Sequence, residues 1–180
     1  ESAALLSGHF LLTSGLHSDR YVQCAKLLQH PQHARRAGIW LAERLRPYRP
    51  QAIVSVALGG LVIGQEVAAA LGVPALFAER DDSGALQLRR GFTIEPGTRL
   101  VVVDDVCTRG GSIAECTALM RNLGGEVVAA GSIIDRSGGT AQVGVPRTAL
   151  ATLEVQTWDP AACPLCAQGL EVVKPGSRPV

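Results

Sequence analysis

Two adjacent aspartates, followed by a glycine turn rich in hydrogen-bond donors, are the residues of this 180-residue sequence most able to do chemistry. They lie in LVVVDDVCTRGGSIAEC, residues 100 to 116, where an aliphatic run ends in Asp104 and Asp105. Ligands of open parallel sheets bind beyond the carboxyl ends of the strands, which is where these carboxylates stand. Because paired acids are costly to bury without partners, we expect them to accept hydrogen bonds from sugar hydroxyls or to lie near a hydrated Mg²⁺ that bridges to phosphate.

The turn after the acid pair, residues 108 to 112, predicts a cradle for a phosphate monoester. Its glycines let the backbone turn sharply and approach a ligand closely. A helix that begins here presents free amides and the positive end of its dipole to an anion. The hydroxyls of Thr108 and Ser112 add donors, and Arg109 can add charge. The turn is not a P-loop, because the Lys of that motif is missing. The alternative is that the acids and the turn are only a strand end and a helix cap.

Composition favours a globular chain that binds anions through arginine. Hydrophobic residues make up 47% and charged residues 18% of the sequence, and the net charge of +1 provides no basic footprint for nucleic acid. Fifteen of the 17 cationic residues are Arg, which suits planar recognition of phosphate and carboxylate. We expect no membrane span, no signal peptide and a cytoplasmic protein, since five scattered cysteines fit reduced thiols better than a disulfide framework.

Alternating apolar runs and helical patterns predict an α/β fold, with a mostly parallel central sheet flanked by helices. On the helix after the acid pair, we expect Ile113, Cys116 or Thr117, Met120 and Leu123 to form the buried face. Residues 86–92 alternate weakly and fit either a strand or a mobile arm. The other predicted strands are 52–58, 74–79, 99–105, 126–137 and 148–155, and the predicted helices are 31–48, 61–72 and 112–125.

We predict one domain of 180 residues with three segments. Residues 1–30 form a small N-terminal hood or flap. Two short apolar stretches around a Ser/Gly/His/Ser/Asp turn in this segment fit a hairpin. Residues 31–157 form the core. Residues 158–180, rich in Pro, Gly and Cys, form an irregular C-terminal cap.

VVVDDVCTRGGS resembles the signature of type I phosphoribosyltransferases that binds phosphoribosyl diphosphate (PRPP). GHFLLTSGLHSDRYVQ and IIDRSGG resemble segments of the orotate phosphoribosyltransferases within that family, and ALGGLVIG, FAER and LRRGF resemble their pyrophosphate-side and flexible loops. CPLCAQGLEVVKPGSR resembles the tail of one bacterial and archaeal branch. The resemblance covers essentially the whole chain and implies the type I phosphoribosyltransferase fold.

The resemblance also implies roles for individual residues. The two acids would hold the ribose 2- and 3-hydroxyls, the turn would hold the 5-phosphate, and backbone amides of residues 57–60 would face pyrophosphate. The implied PRPP-binding residues are Gly59, Gly60, Asp104, Asp105, Thr108, Arg109, Gly110, Gly111 and Ser112. The implied catalytic residues, which neutralise the departing pyrophosphate, are Arg80 with Arg89 or Arg90. The implied orotate-binding residues are Tyr21, Val22, Thr108 and Arg136.

The family further implies transfer of phosphoribosyl from PRPP to orotate in pyrimidine biosynthesis, without a covalent nucleophile. Mg²⁺, held through PRPP near Asp104 and Asp105, would be the cofactor, and a homodimer would exchange its flexible loop between subunits. The sequence departs from many relatives at Gly59, where they carry Lys, and in a flexible loop without Lys or His. Arg109 also replaces the usual Thr or Ala of the signature. The alternatives are transfer to another base, or a PRPP-sensing regulator with weak turnover.

Cys163 and Cys166 form a CxxC pair that the implied reaction does not use. A zinc site usually needs a second ligand pair, and none with suitable spacing follows. We therefore favour a structural role, with disulfide formation and then metal binding as alternatives. His17, in the flap, could approach a ligand or be a solvated turn residue, and Cys107 is expected to be a small packing residue.

Overall fold

A computed structural model describes residues 4–12 and 14–175 of the chain. Residues 1–3 and 13 of the predicted hood and residues 176–180 of the predicted cap lie outside the described residues. The strands are β1 (Leu5–Leu11), β2 (His17–Val22), β3 (Ala52–Val56), β4 (Ala75–Arg80), β5 (Leu86–Leu88), β6 (Arg99–Cys107), β7 (Glu126–Asp135), β8 (Arg147–Thr152) and β9 (Thr157–Trp158). The α-helices are α1 (Ala25–Leu28), α2 (Pro31–Leu45), α3 (Gly60–Leu71), α4 (Gly111–Asn122) and α5 (Pro164–Ala167), with 3₁₀ turns at Arg46–Tyr48 and Pro160–Ala162.

The chain divides into two compact units. The first unit combines residues 1–27 with residues 154–180, and the second spans residues 28–153. The predicted hood and the predicted cap therefore fold largely as parts of one unit.

The second unit is built on a six-stranded sheet with the strand order β5-β4-β3-β6-β7-β8. All neighbouring strands in it are parallel except β4 and β5, which are antiparallel. The Val run from Val101 to Val103 is fully buried in the central strand β6, as an aliphatic run covered on both faces requires. These strands and helices confirm the predicted α/β fold with a central, mostly parallel sheet.

Helices cover both faces of this sheet, because successive side chains of a strand point to opposite sides. On β3, Ile53 and Ser55 lie against α3, where a Cβ on Gly64 would meet both side chains. Val54, between them, belongs to the hydrophobic core that α4 completes with Met120. The sheet is thus buried from two sides, and its strand ends are the edges where ligands can reach it.

Two sequence predictions about helices need correction. The helix predicted for residues 31–48 is α-helical only to Leu45 and continues as a 3₁₀ turn at Arg46–Tyr48, since Pro47 lacks the amide that an α-helical bond needs. Leu123, predicted for the buried face of α4, is 43% exposed because the helix ends at Asn122. Ile113, Cys116, Thr117 and Met120 are buried as expected.

The strand order changes direction between β3 and β6. From β3 the chain moves outward to β4 and β5, and then returns to place β6 on the other side of β3. The carboxyl ends of β3 and β6 therefore border a crevice, the position where open parallel sheets bind ligands.

The first unit contains the predicted hairpin. Strands β1 and β2 pair antiparallel, and β9 pairs with the other edge of β2. The register of the hairpin shifts between Ser7 and Phe10, which makes a bulge that includes His9. The carbonyl of His9 accepts a hydrogen bond from Val173 N–H at 2.8 Å, so the tail runs along β1. His17 is buried on β2, which makes the alternative of a solvated turn residue wrong.

None of the helices within residues 4–12 and 14–175 is both long and apolar enough to span a bilayer.

Candidate active site

The acid pair lies at the carboxyl end of β6, in the crevice beside β3. Asp104 Oδ1 accepts the backbone N–H of Asp105 at 2.9 Å, and Asp105 Oδ1 accepts that of Val106 at 2.9 Å. Both residues are half-buried. Burial raises the pKa of Asp105 above its ordinary value, because a charged carboxylate loses solvation there. These carboxylates are held by their own backbone and face the mouth of the crevice with limited solvation.

The turn from Thr108 to Ser112 forms a small pocket with Asp104, the first residue of the acid pair. The pocket is lined by Asp104, Val106, Cys107, Thr108, Gly110, Gly111, Ser112 and Ile113. Gly110 has a φ of +80°, and a Cβ there would come within 2.8 Å of Val143, so only glycine fits this position without strain. Helix α4 begins directly afterwards without a side-chain cap, which leaves its first amides to face the pocket. The predicted cradle and the predicted acid pair are therefore adjacent.

Two residues next to or within this turn, Arg109 and Cys107, differ in their exposure to solvent. Arg109 is exposed. Cys107 is buried in the core, in keeping with the expected packing role, and burial raises the pKa of its thiol. A protonated, buried thiol is a poor nucleophile, so Cys107 contributes packing and not chemistry.

The loop after β3 reaches the acid pair from the other side of the crevice. A Cβ on Gly59 would lie 2.6 Å from Asp105 Oδ1, closer than real contacts allow. The peptide bond between Ala57 and Leu58 is cis. The N–H of Ala57 donates to the carbonyl of Ala78 at 2.9 Å, so this amide, predicted to face pyrophosphate, is occupied within the sheet. Residues 58–60 carry the remaining amides of the predicted set.

The three predicted catalytic arginines lie on β4 and in the segment after β5. The guanidinium of Arg80 forms two hydrogen bonds with the carboxylate of Glu115 on α4, at 3.0 and 2.6 Å. The guanidinium of Arg90 forms two with Glu79, both at 2.8 Å. Arg89 is exposed. The sequence allowed either a strand or a mobile arm at residues 86–92. The structure has a three-residue strand there, followed by a turn.

The ion pair with Glu115 ties Arg80 to the helix that begins at the phosphate cradle. The hydrogen bonds from Arg80 to Glu115 raise the pKa of Arg80 further, so the guanidinium is charged under all ordinary conditions. Both side chains are partly exposed, so the ion pair is weak. Arg80 can therefore exchange Glu115 for another anion.

Arg136 lies at the end of β7, next to the end of β6. Its backbone N–H donates to the carbonyl of Cys107 at 2.8 Å, which fixes this segment beside the PRPP signature. The predicted Arg136 therefore shares the carboxyl edge of the sheet with Asp104, Asp105 and the turn.

Asp135, the residue before Arg136, is the centre of a buried hydrogen-bond network that was not predicted from the sequence. The carboxylate of Asp135 accepts hydrogen bonds from Ser137 N–H, Ser137 Oγ, Gly139 N–H and the guanidinium of Arg147. Burial alone raises the pKa of Asp135, but the hydrogen bonds from Ser137 and Arg147 outweigh it and lower the pKa to about 2. The Asp-x-Ser-Gly order, typical of a turn closed by the aspartate side chain, is the signal that could have indicated it.

Tyr21 and Val22, the other predicted orotate-binding residues, belong to β2 of the first unit. The Tyr21 ring lies 5.9 Å from that of Phe10, and Val22 is buried. The second unit by itself brings together the acid pair, the turn, the glycine loop and the edge that carries Arg136.

The donor atoms of the acid pair fit Mg²⁺. Magnesium prefers hard oxygen ligands and is usually bound through one or two carboxylates together with substrate phosphates. Asp104 and Asp105 offer carboxylate oxygens beside a turn suited to phosphate, so the site provides for both kinds of ligand.

Comparisons with known proteins show the family to which the chain is similar. The family model described as "Phosphoribosyl transferase domain" matches residues 23–162. The orotate phosphoribosyltransferase of Desulforamulus reducens is 50% identical over 180 residues, which cover 100% of this chain and 94% of the relative. That of Caldanaerobacter subterraneus is 48% identical over 171 residues, 95% of this chain and 90% of the relative.

A solved structure shows the same likeness in three dimensions. The crystal structure of orotate phosphoribosyltransferase from Aeropyrum pernix superposes with a TM-score of 0.72 at 31% sequence identity. The match covers 84% of this chain and 89% of that chain.

Proposed function

This chain belongs to the orotate phosphoribosyltransferases, within the phosphoribosyl transferase domain family, and from that premise we propose how its residues carry out the reaction. The enzyme transfers the 5-phosphoribosyl group of PRPP to orotate, giving orotidine 5′-monophosphate and pyrophosphate in pyrimidine biosynthesis. The observation that carries the mechanism is the adjacency of the acid pair and the phosphate cradle at the switch point between β3 and β6.

The ribose phosphate binds along the end of β6. Asp104 and Asp105 accept hydrogen bonds from the ribose 2- and 3-hydroxyls, since ionised carboxylates are strong acceptors. The 5-phosphate lies at the start of α4, where the amides of Gly111 and Ser112 and the hydroxyl of Thr108 donate to it. Arg109 adds positive charge beside this phosphate. The sugar is thereby held at two points, which fixes the anomeric carbon in the crevice.

The departing pyrophosphate is stabilised by arginines and backbone amides. The amides of residues 58–60 face it from the loop after β3, while Arg80, with Arg89 or Arg90, neutralises the charge that develops as the bond to the anomeric carbon breaks. Arg80 and Arg90 each exchange a glutamate partner for the phosphate oxygens. Mg²⁺, held through PRPP and near Asp104 and Asp105, supplies further charge neutralisation when bound.

Orotate approaches the anomeric carbon from the opposite side. Arg136 donates to the carboxylate or a ring carbonyl of orotate, a task suited to a planar guanidinium. Thr108, at the start of the turn, adds a hydroxyl to this base site. A ring nitrogen of orotate forms the new bond to the anomeric carbon as pyrophosphate leaves, with an oxocarbenium-like transition state and no covalent enzyme intermediate.

We also propose that the enzyme acts in the cytoplasm as a homodimer that exchanges its flexible loop between subunits. Reduced thiols at Cys24, Cys107, Cys116, Cys163 and Cys166 support a reducing compartment. An open groove between α3 and β4, lined by apolar residues that include Leu61, Val62, Leu76 and Phe77, supports a second copy as partner. Sedimentation of the full chain tests the dimer, since a monomer at all concentrations contradicts it.

Turnover of orotate with PRPP and Mg²⁺, measured as loss of orotate absorbance, tests the function. We expect turnover with orotate and none with adenine or hypoxanthine under the same conditions. PRPP binding without turnover of any base would instead identify a PRPP-sensing regulator, and turnover of a purine would identify transfer to another base. Omitting Mg²⁺ tests the cofactor, because undiminished turnover without it would exclude that part of the proposal.

A further inference from the structure

Four metal-ligating side chains of the first unit converge, although the transfer reaction uses none of them. His9 and His17 come from the hairpin, and Cys163 and Cys166 come from α5 and the residue before it. One ligand atom from each residue lies within 4.8 Å of the other three. We propose that these residues, the His–Cys cluster, form a structural Zn²⁺ site.

The distances within the cluster suit a tetrahedral ion. Cys163 Sγ lies 3.4 Å from His9 Nε2, and Cys166 Sγ lies 3.7 Å from His9 Nε2 and 3.3 Å from His17 Nδ1. With Zn–N of about 2.1 Å and Zn–S of about 2.3 Å, neighbouring ligand atoms of a tetrahedron lie about 3.3 to 3.8 Å apart. The two ring nitrogens, at 2.8 Å, are closer than that. They must separate by about half an ångström, a small rotation of either ring, to admit the ion.

A backbone carbonyl already orients His9 for this role. Nδ1 of His9 lies 2.8 Å from the carbonyl oxygen of Leu170. A carbonyl oxygen only accepts, so Nδ1 carries the proton and the lone pair of the neutral ring lies on Nε2, the atom that faces the cluster. Zinc-bound histidines commonly have such a partner on the other ring nitrogen, which fixes the tautomer.

The fold builds the cluster from distant parts of the chain. His9 lies in the bulge of β1, and bulges commonly re-aim a side chain next to a functional site. The pairing of β9 with β2 places His17 opposite Trp158, from which a short 3₁₀ turn leads to Cys163. Cys163 and Cys166 are three residues apart, a spacing that puts both thiols on one side of a helical turn.

Burial and exposure also fit a structural ion. His9, His17 and Cys163 are 4%, 7% and 3% exposed, so three ligands are shielded from solvent. Cys166 is exposed and provides a route by which the ion enters. The first unit consists of two stretches of 27 residues, a size at which a hydrophobic core alone rarely suffices and small folds commonly use a metal.

Zinc is the ion that this ligand set selects. Two imidazole nitrogens and two thiolates are a common closed set for structural Zn²⁺, without an open position for catalysis. The site would close a loop of more than 150 residues, because His9 and Cys163 are 154 positions apart. Cross-links over such long loops restrict the unfolded chain strongly.

The test measures metal content and coordination in the full chain. We expect about one zinc per chain by mass spectrometry of the metal, and replacement by Co²⁺ should give the visible bands of a tetrahedral ion with thiolate charge-transfer absorption. Cys166→Ser, on an exposed residue that leaves the core intact, should lower Co²⁺ affinity at least about tenfold. Cys116→Ala and His30→Gln, a buried cysteine and a histidine outside the cluster, should bind Co²⁺ as the wild-type chain does.

Several outcomes would overturn the site. Failure of the wild-type chain to bind zinc or Co²⁺ would do so, and so would equal affinity in Cys166→Ser and wild type. A mass lower by two hydrogens, showing a Cys163–Cys166 disulfide, would identify a redox pair instead. Chelation should lower the melting temperature of the wild-type chain by more than that of Cys166→Ser. Loss of zinc without any change in the wild-type melting temperature would exclude the structural role.

Discussion

The carboxylate of Asp105 occupies the space in which a side chain on Gly59 would begin, with Oδ1 2.6 Å from the point that a Cβ would take. Gly59→Ala therefore has to displace the carboxylate or the loop, at a cost of about 1–3 kcal/mol for overpacking. We expect the KM for PRPP to rise about tenfold or more, since 1.4 kcal/mol is a factor of ten. Steady-state kinetics with varied PRPP measures this, and an unchanged KM with native circular dichroism would contradict it.

The acid pair gives the sharpest test of the sugar site. Asp104→Asn with Asp105→Asn keeps the side-chain shape and removes both negative charges. A hydrogen bond to a charged group contributes about 1.5–3 kcal/mol, so we expect PRPP-dependent activity to fall at least about a hundredfold while the fold is retained. Glu154→Gln, at an exposed carboxylate in the first unit, is the control. Retained activity in the double variant would mean that the sugar site is misassigned.

Arg80 and its partner Glu115 should contribute unequally to turnover. Arg80→Gln removes charge from the leaving group, so we expect kcat to fall about a hundredfold, the size of effect seen when one donor to a developing charge is removed. Glu115→Gln removes only the resting partner and should cost much less. Pre-steady-state kinetics of each variant measures the rate of the chemical step separately from the affinity for PRPP.

Arg99→Gln is the matched control for Arg80→Gln. Arg99 forms a comparable, partly exposed ion pair with Glu126 at 3.2 Å and lies at the opposite end of β6 from the acids. An equal loss of kcat in both arginine variants would point to stability and not to catalysis.

Asp135 should make the stability of the chain fall in acid. Its folded pKa of about 2 lies below the ordinary value of 3.8, so the stabilisation is fully present above about pH 4 and is lost as the pH falls towards 2. The difference corresponds to about 2 kcal/mol. Asp135→Asn should lower the free energy of unfolding by about that amount at pH 7, and the gap to wild type should close towards pH 2.

Denaturant unfolding at pH 7 and at several values between pH 5 and 2 measures this dependence. Asp82→Asn, at an exposed carboxylate, serves as control and should follow the wild-type curve. A gap between Asp135→Asn and wild type that stays constant across this range would show that the Asp135 network does not titrate as proposed.

Much of the second unit could be predicted because its signals are local. The Val run of β6, the acids that follow it and the glycine turn before α4 are consecutive in sequence, so one strand and one helix determine their geometry. The prediction for Leu123 was wrong because the helix ends at Asn122, three residues before its predicted end. The prediction for the amide of Ala57 was wrong because its partner, Ala78, lies on a neighbouring strand whose pairing no local pattern reveals.

The His–Cys cluster depends on contacts that its local sequence does not reveal. The histidine ligands precede the CxxC pair by more than 140 residues, so a search for a following pair could not find them. His17 looked like a turn residue because Gly15 and Ser18 flank it, yet pairing with β9 buries it. For the cluster residues, His17 among them, the tertiary structure supplied the partners that decide what each residue does.

The division of the first unit between both ends of the chain also sets an order for its synthesis. Strand β2 must wait for β9, and His9 for Cys163, until more than a hundred intervening residues have left the ribosome. At about 5–20 residues per second, that wait lasts on the order of ten seconds, during which the second unit can already fold. Until those residues emerge, the nascent hairpin lacks the partners that bury its two histidines.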